Sequence, residues 1–239
     1  MTNLALVTGS AHRLGKAFAL SLARQGYAIA LHYHHSVENE VQETIDEIHE
    51  LDVPVYPIQA DLADASIFSV LFSVIDALPQ TLKVLVNSAA FMPSGSASTL
   101  SLETWDSSLD LNLRAPFFLA QKAAKSMTAG GLIVNITDVG AQKAWSRYPS
   151  YTISKAALES LTKILARAFA PNIRVNAIAP GLVLQSDIVT PEEWERLINR
   201  VPLKRPARTE EITSALEFLI QNEYITGQTI VVDGGYSLV

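Results

Sequence analysis

The chain has no cysteine among its 239 residues. A disulfide framework, thiolate catalysis and cysteine-ligated zinc are therefore excluded. Charge is sparse, at 18% of residues, and it leans acidic: 24 Asp plus Glu against 18 Lys plus Arg give a formal net charge of −6. A surface of that sign does not favour a nucleic-acid backbone as partner. No apolar run approaches the ~18 residues that a membrane span needs. The N-terminal Met1-Thr2-Asn3 carries no positive leader region, so no targeting segment and no membrane are expected. Low-complexity linkers, composition breaks and internal repeats of roughly 20–50 residues are also lacking.

What is present is a hydrophobic fraction of 49%. A chain of this size buries roughly 70% of its unfolded surface. The expectation is one globular domain over residues 1–239, soluble and cytoplasmic. Short apolar runs read as strands at Leu4–Thr8, Ala28–Tyr33, Val53–Gln59, Val84–Asn87, Leu132–Thr137, Ile173–Ala177 and Thr229–Val232. They are apolar on both faces, as strands covered on both sides are. Apolar residues at helical spacing lie between them. Leu14, Phe18 and Leu22 mark a first helix with Gly26 as its stop, Val41, Ile45, Ile48 and Leu51 a second, and Ile67 to Leu78 a third. Alternation of this kind builds βαβ units, a parallel sheet and right-handed crossovers. Residues 181–206 are the least regular stretch and are expected to form a substrate lid.

Thr8-Gly9-Ser10-Ala11-His12-Arg13-Leu14-Gly15 joins the first strand to the first helix. Gly9 permits a tight turn, and Gly15 lets backbone N–H groups approach a pyrophosphate, which the helix dipole favours. The end of the second strand then selects the cofactor. An acid there would bind the free 2′-hydroxyl of an NAD ribose. The sequence reads His32-Tyr33-His34-His35-Ser36, with no acid. Arg13, His34, His35 and Ser36 make a 2′-phosphate pocket, and NADPH/NADP is the expected cofactor. The neighbouring histidines also suit a metal, but no further ligand lies close in sequence, and no metal is expected. Asp61 either accepts a hydrogen bond from adenine or caps a helix starting near Ala63.

Tyr151-Thr152-Ile153-Ser154-Lys155 is the sharpest chemical signal. Residues four apart share a helix face, so Lys155 is expected beside the Tyr151 phenol, lowering its pKa toward neutrality. Such a tyrosine can donate a proton during reduction of a carbonyl or imine.

On these motifs the chain resembles the short-chain dehydrogenase/reductase family from end to end. The matching residues are Thr8-Gly9 through Gly15, Asp61, Val86-Asn87-Ser88-Ala89-Ala90, Asn112, Asp138, Tyr151 with Lys155, Pro180-Gly181 and Asp233-Gly234-Gly235. The resemblance implies a single-domain α/β Rossmann fold: a doubly wound, seven-stranded parallel sheet with helices on both faces. It implies Tyr151 as proton donor, Lys155 on the nicotinamide ribose and Asn112 organising a relay water. It further implies Gly9, Leu14, Gly15, Leu62, Asn87, Ser88, Ala89, Pro180 and Gly181 around the cofactor, and a homodimer or homotetramer.

Two departures narrow the resemblance. Most members carry serine thirteen residues before the tyrosine; here Asp138 stands there. An ionised aspartate cannot donate to a carbonyl, and its charge repels a developing alkoxide. It suits a nitrogen heterocycle. Arg13 in the glycine loop is the second. Both are similar to the pteridine reductase branch, which implies a dihydropterin or dihydrofolate as the small-molecule substrate. That branch implies Arg13, Phe91, Asp138 and Tyr151 as substrate contacts, with Phe91 stacking on the pterin unless it is a packing aromatic. His35 stands where that branch has arginine, and the loop after Asn87 lacks a serine that holds the pterin there. A carbonyl reductase of 3-oxoacyl or other ketone substrates is the alternative, and a catalytically silent nucleotide sensor a third. Trp145 is expected at the site mouth, Trp194 in the lid, and Trp105 in packing at the start of a long helix. Apolar segments at Trp105–Met127, Tyr151–Ala170 and the C-terminal Tyr236–Val239 suggest faces for a subunit interface.

Overall fold

The computed structural model describes residues 3–143, 145–186 and 189–239. Residues 1 and 2 of the expected leader-free start, and residues 187 and 188 of the expected lid, lie outside the described residues. Seven parallel strands form one sheet in the order β3-β2-β1-β4-β5-β6-β7. They are β1 Asn3–Val7, β2 Ala28–Tyr33, β3 Val55–Gln59, β4 Thr81–Asn87, β5 Gly131–Ile136, β6 Ile173–Pro180 and β7 Thr229–Val232. All seven expected strands are present. Differences are confined to their ends, where β4 starts three residues earlier and β6 runs three further than the apolar runs suggest.

The order reverses direction between β1 and β4, and the crevice beyond their carboxyl ends is where ligands bind in such sheets. Strand alternation divides the core. Leu4, Leu6, Leu85, Ile133 and Val175 face one side, where they meet Phe68, Leu119, Leu158 and Leu161. Ala5, Val7, Val84, Val86 and Val134 face the other and meet Phe18, Leu22, Ile48 and Leu216. The first side is covered by α3 Ile67–Asp76, α5 Ala115–Ser126 and α6 Pro149–Phe169. The second is covered by α1 Arg13–Arg24, α2 Glu38–His49 and α8 Thr209–Gln221. Two-sided burial explains why the strands read as continuous apolar runs rather than alternating ones.

Two local expectations change. No helix starts near Ala63; α3 begins at Ile67, and Asp61 instead closes a turn by accepting from the Ala63 N–H at 2.9 Å. The helix expected at Trp105 is not continuous. α4 Leu102–Leu109 passes through a π-helical turn, Asp110–Arg114, before α5 begins. Such turns insert one extra residue and re-aim the side chains that they carry; this one holds Asn112. The remaining helix, α7 Pro191–Arg200, lies within the irregular 181–206 stretch and buries none of its residues fully.

Candidate functional site

The β1–α1 turn is shaped by close approach. A Cβ on Gly15 would lie 2.0 Å from the carbonyl oxygen of Gly9. Gly9 adopts φ +64° and passes within 3.0 Å of Ala89 Cα, measured from where its own Cβ would be. Arg13 also takes a left-handed conformation, at φ 53°. α1 has no side-chain cap and no acid in its first turn. Its first N–H groups and its dipole therefore favour an anion.

Around this turn lies a cavity of about 440 Å³. It brings together eleven of the residues expected at the cofactor: Gly9, Arg13, Leu14, Gly15, His34, His35, Ser36, Asp61, Leu62, Ser88 and Ala89. It abuts a second cavity of about 610 Å³, with Arg13, Leu14, Ser88 and Ala90 lining both. Pro180 and Gly181 line the second, beside Asp138, Tyr151 and Lys155. The joined pair suits an elongated dinucleotide, and the uncapped α1 terminus that borders it favours anionic phosphates.

Sequence reasoning missed the part played by His32. This imidazole is almost fully buried. Its Nδ1 accepts from the Gly9 N–H at 3.2 Å, and its Nε2 lies 3.0 Å from the Ala60 carbonyl oxygen. Both nitrogens are thus engaged, and neither is left for a metal. The ring ties the glycine loop to the end of β3. Burial pushes its pKa down to about 4 from the ordinary 6.5. On acidification the unfolded imidazole gains a proton near 6.5 and the folded one only near 4. Between these values the fold loses up to about 3 kcal/mol from this group. Urea midpoints at pH 7 and pH 4.5 should therefore fall more for the wild type than for His32→Gln. Asp138 titrates in the opposite sense over part of this window, so the difference between the two proteins isolates the imidazole.

The candidate catalytic group is built on α6 and the end of β5. Pro149 starts α6, and Tyr151 and Lys155 follow one turn apart, both buried. The Tyr151 hydroxyl donates to Asp138 Oδ2 at 2.9 Å. Asp138 Oδ1 accepts from the Gly140 N–H at 2.6 Å, which fixes the carboxylate at the head of a 3₁₀ turn. Lys155 Nζ donates to the Ile136 carbonyl at 2.7 Å and lies 5.7 Å from the centre of the Tyr151 ring.

The electrostatics reverse one expectation. Tyr151 is not pulled toward neutrality; its pKa stands well above 10. Burial is the main cause, and the neighbouring Asp138 charge adds to it, so the lysine does not dominate. Burial likewise pushes Asp138 up to about 6, against the opposing pull of Gly140, Tyr151 and Lys155. Burial lowers Lys155 to about 8, against the Asp138 charge. Asp138 and Tyr151 form a proton-sharing pair whose acid end titrates near neutrality.

Three expected site residues stand apart from the cavities. Asn87 is buried beneath them, donating to Asn135 Oδ1 at 2.8 Å. The Asn112 amide is taken up by protein. It accepts from the Phe91 N–H and donates to the Phe91 carbonyl, both at 2.8 Å, and donates to Ser154 Oγ at 3.0 Å. Its side chain therefore pins the loop after Asn87. Phe91, held by both its backbone groups, is 43% exposed and does not line the second cavity; Ala90 and Met92 do. The backbone clamp sets which of the neighbouring side chains enters.

Trp145 and Trp194 both line the second cavity. Trp145 packs against Gly140, where an added Cβ would lie 2.7 Å from its ring. Tyr148, Leu197 and Arg200 join the lining without having been singled out, and Tyr236, expected on an interface face, lines it as well. They come from segments far apart in sequence, and no local pattern marks them. Among the described residues no helix is long and apolar enough to cross a membrane, and no group of three His, Asp or Glu could hold a metal.

A family model described as enoyl-(acyl carrier protein) reductase matches residues 9–237. The chain belongs to the short-chain dehydrogenase/reductase family. As a member of that family it is an oxidoreductase. A 3-oxoacyl-[acyl-carrier-protein] reductase, FabG of Staphylococcus aureus, is 34% identical over 242 residues, covering 98% of this chain and 98% of that protein. A 1-cyclohexenylcarbonyl-CoA reductase of Streptomyces collinus is 33% identical, covering 99% of this chain and 87% of that protein. Among solved structures, this short-chain dehydrogenase/reductase superposes on FolM alternative dihydrofolate reductase 1 from Brucella canis, complexed with NADP, at a TM-score of 0.93. That pair shares 35% identity, with 99% of this chain and 94% of the other covered.

Proposed function

We propose that this chain is an NADPH-dependent reductase of a dihydropterin or dihydrofolate. The observation that carries the reading is the hydrogen bond from Tyr151 to Asp138 at 2.9 Å, with an aspartate in place of a carbonyl-polarising hydroxyl. The similarity to a FolM dihydrofolate reductase bound to NADP supports both substrate class and cofactor.

The two joined cavities suit the dinucleotide, with the Gly9–Gly15 loop and the α1 terminus holding its phosphates and Pro180-Gly181 beside its reducing end. When bound, NADPH supplies a hydride. The chain manages the proton. While Asp138 is ionised, the Tyr151 hydroxyl stays protonated and donates its hydrogen bond to the carboxylate. Protonation of Asp138 reverses that bond: the acid donates to the phenol oxygen, and the Tyr151 proton turns into the cavity toward a ring nitrogen. Lys155, anchored on the Ile136 carbonyl, keeps a positive charge behind the pair.

The 181–206 segment acts as the lid in this reading. Two tethers hold it over the site. Arg13 donates to the carbonyls of Leu184 and Gln185 at 3.0 and 3.1 Å, and Arg147 pairs with Glu193 on α7 at 3.2 Å. Trp194 and Leu197 then close one wall of the cavity and exclude water.

A second reading is reduction of a 3-oxoacyl thioester or related ketone, favoured by the relatives that carry such names. The two readings part in one assay. NADPH oxidation is followed with 7,8-dihydrobiopterin, dihydrofolate and a 3-oxoacyl thioester, with Tyr151→Phe as control. Turnover of a dihydropterin or dihydrofolate, lost in the variant, is the expected result. Turnover of the thioester alone would replace the first reading with the second.

A further inference from the structure

Lys143 stands beside the site but lines neither of its two cavities. It directly follows the 3₁₀ turn Val139–Gln142, whose Gly140 N–H fixes Asp138. Its half-buried side chain reaches across to a second 3₁₀ turn, Tyr236–Leu238. There Nζ donates to the Tyr236 carbonyl at 2.8 Å and to the Val239 carbonyl. The same ammonium lies 4.7 Å from the centre of the Tyr236 ring. Every one of these contacts falls on one short stretch of chain, and Tyr236 receives both a hydrogen bond and the charge over its ring.

Tyr236 is a buried wall of the cavity of about 610 Å³. Its ring lies 6.5 Å from the ring of Trp145, which packs on Gly140. Burial pushes the Tyr236 phenol up; the Arg200 charge opposes the rise and the Asp138 charge adds to it, so the phenol lies within electrostatic reach of the Asp138 carboxylate. The turn that carries this ring is closed mainly on itself. Asp233 accepts from the Gly235 and Ser237 N–H groups at 2.8 and 2.6 Å. The two residues before Tyr236 are glycines at φ +61° and +87°, a backbone that gives the ring no rigid lead-in. Among the described residues, Lys143 is the side chain whose hydrogen bonds join this turn to the one that bears Asp138.

We infer that Lys143 is a positioning residue for the substrate: by clamping the turn Tyr236–Leu238 it holds the Tyr236 ring as the wall against which substrate is seated beside Asp138 and Tyr151. The inference rests on the reductase reading of the cavity. A cation over the face of a tyrosine fixes the plane of the ring as well as its place. A wall touches substrate in the ground state and the transition state alike, so loosening it raises KM and leaves kcat near its value. Loss of folded enzyme does the reverse: apparent kcat falls and KM stays. The glycine loop that cradles the dinucleotide is built from other segments, so the Kd for NADPH is expected to be nearly unchanged.

The test begins with Lys143→Met, which keeps the length of the side chain and removes its charge and its donors. Initial rates of NADPH oxidation are measured on the full chain with whichever of 7,8-dihydrobiopterin, dihydrofolate and the 3-oxoacyl thioester the wild type reduces. KM is expected to rise ~10-fold with kcat held within ~2-fold. Lys143→Arg should bring KM back toward the wild type, because guanidinium also donates to carbonyls and lies on aromatic faces. Tyr236→Leu should raise KM by a similar factor, and adding Lys143→Met to it should change KM little further, since both remove one contact. If Lys143→Met does not fold, as judged by NADPH titration, Lys143→Gln takes its place with the same rise expected. An unchanged KM, a fall in kcat at constant KM, a KM that arginine does not restore, or effects that multiply in the double variant each overturn the inference and leave the reductase reading standing. Turnover of none of the three substrates by the wild type overturns the two together.

Discussion

Replacing Asp138 with asparagine is expected to cut pterin or folate turnover by ~10²–10⁴-fold while leaving the Kd for NADPH nearly unchanged. Asparagine keeps the shape and can still accept from the Gly140 N–H, so the 3₁₀ turn that begins there is preserved. What it loses is the proton. The wild-type carboxyl, raised to about 6 by burial, is the member of the buried pair that titrates near neutrality. Tyr151 stands well above 10 and stays protonated throughout. Turnover in the reducing direction should therefore be highest below about pH 6 and decline above it, as the acid form of Asp138 disappears. Asp138→Asn should show low turnover without that decline. A pH series of kcat on both proteins checks this, and full retention of turnover in the variant would remove Asp138 from proton delivery. Asp138→Ser is informative beside it. A neutral hydroxyl can polarise a carbonyl, so this variant should lose pterin turnover yet improve on any ketone that the wild type handles poorly.

Adding one methyl group at Gly15 is expected to weaken NADPH binding at least ~100-fold, because such loops work by close backbone approach. The new Cβ would sit 2.0 Å from the Gly9 carbonyl oxygen and 3.0 Å from Ser10 Cα. Both are backbone atoms, so relief requires the whole turn to open. Opening the turn moves the Gly9 N–H away from His32 and breaks the approach of Gly9 to Ala89. Overpacking of this kind costs ~1–3 kcal/mol. For a domain of this size, each kcal/mol lowers Tm by roughly 2–4 °C. Gly95→Ala is the matched control. Its Cβ would meet only the end of the flexible Leu100 side chain, at 2.7 Å. It should leave stability within ~0.5 kcal/mol and binding unchanged. Calorimetry and cofactor titration on the two variants separate loss of the turn from the general effect of an extra methyl. Equal binding by Gly15→Ala and wild type would exclude the turn as the phosphate cradle.

Much of this protein was determined by sequence alone, and the reason is locality. The strands of the parallel sheet are buried on both faces, so each announces itself as an apolar run, as in Leu4–Val7 and Leu132–Ile136. The glycine loop is a backbone demand met by residues a few positions apart. Tyr151 and Lys155 share a face because a helix turn makes them neighbours. The family resemblance and the reading of the cofactor cavity rest on these short-range patterns.

Tertiary structure decided what depends on segments distant in sequence. Whether Lys155 or Asp138 dominates the phenol depends on burial and on the approach of β5 to α6, and no spacing rule carries that information. Asn112 had a matching position, yet only the fold shows its amide spent on Phe91 and Ser154. The same clamp leaves Phe91 exposed and gives its place in the cavity lining to Ala90 and Met92. His32 looked like one of several histidines until β3 and the glycine loop were brought to its two nitrogens. The cavity walls from Arg147, Glu193, Arg200 and Tyr236 converge from three separate stretches. Electrostatic shifts and cavity walls are sums over neighbours in space, and chain order specifies those neighbours only through the completed fold.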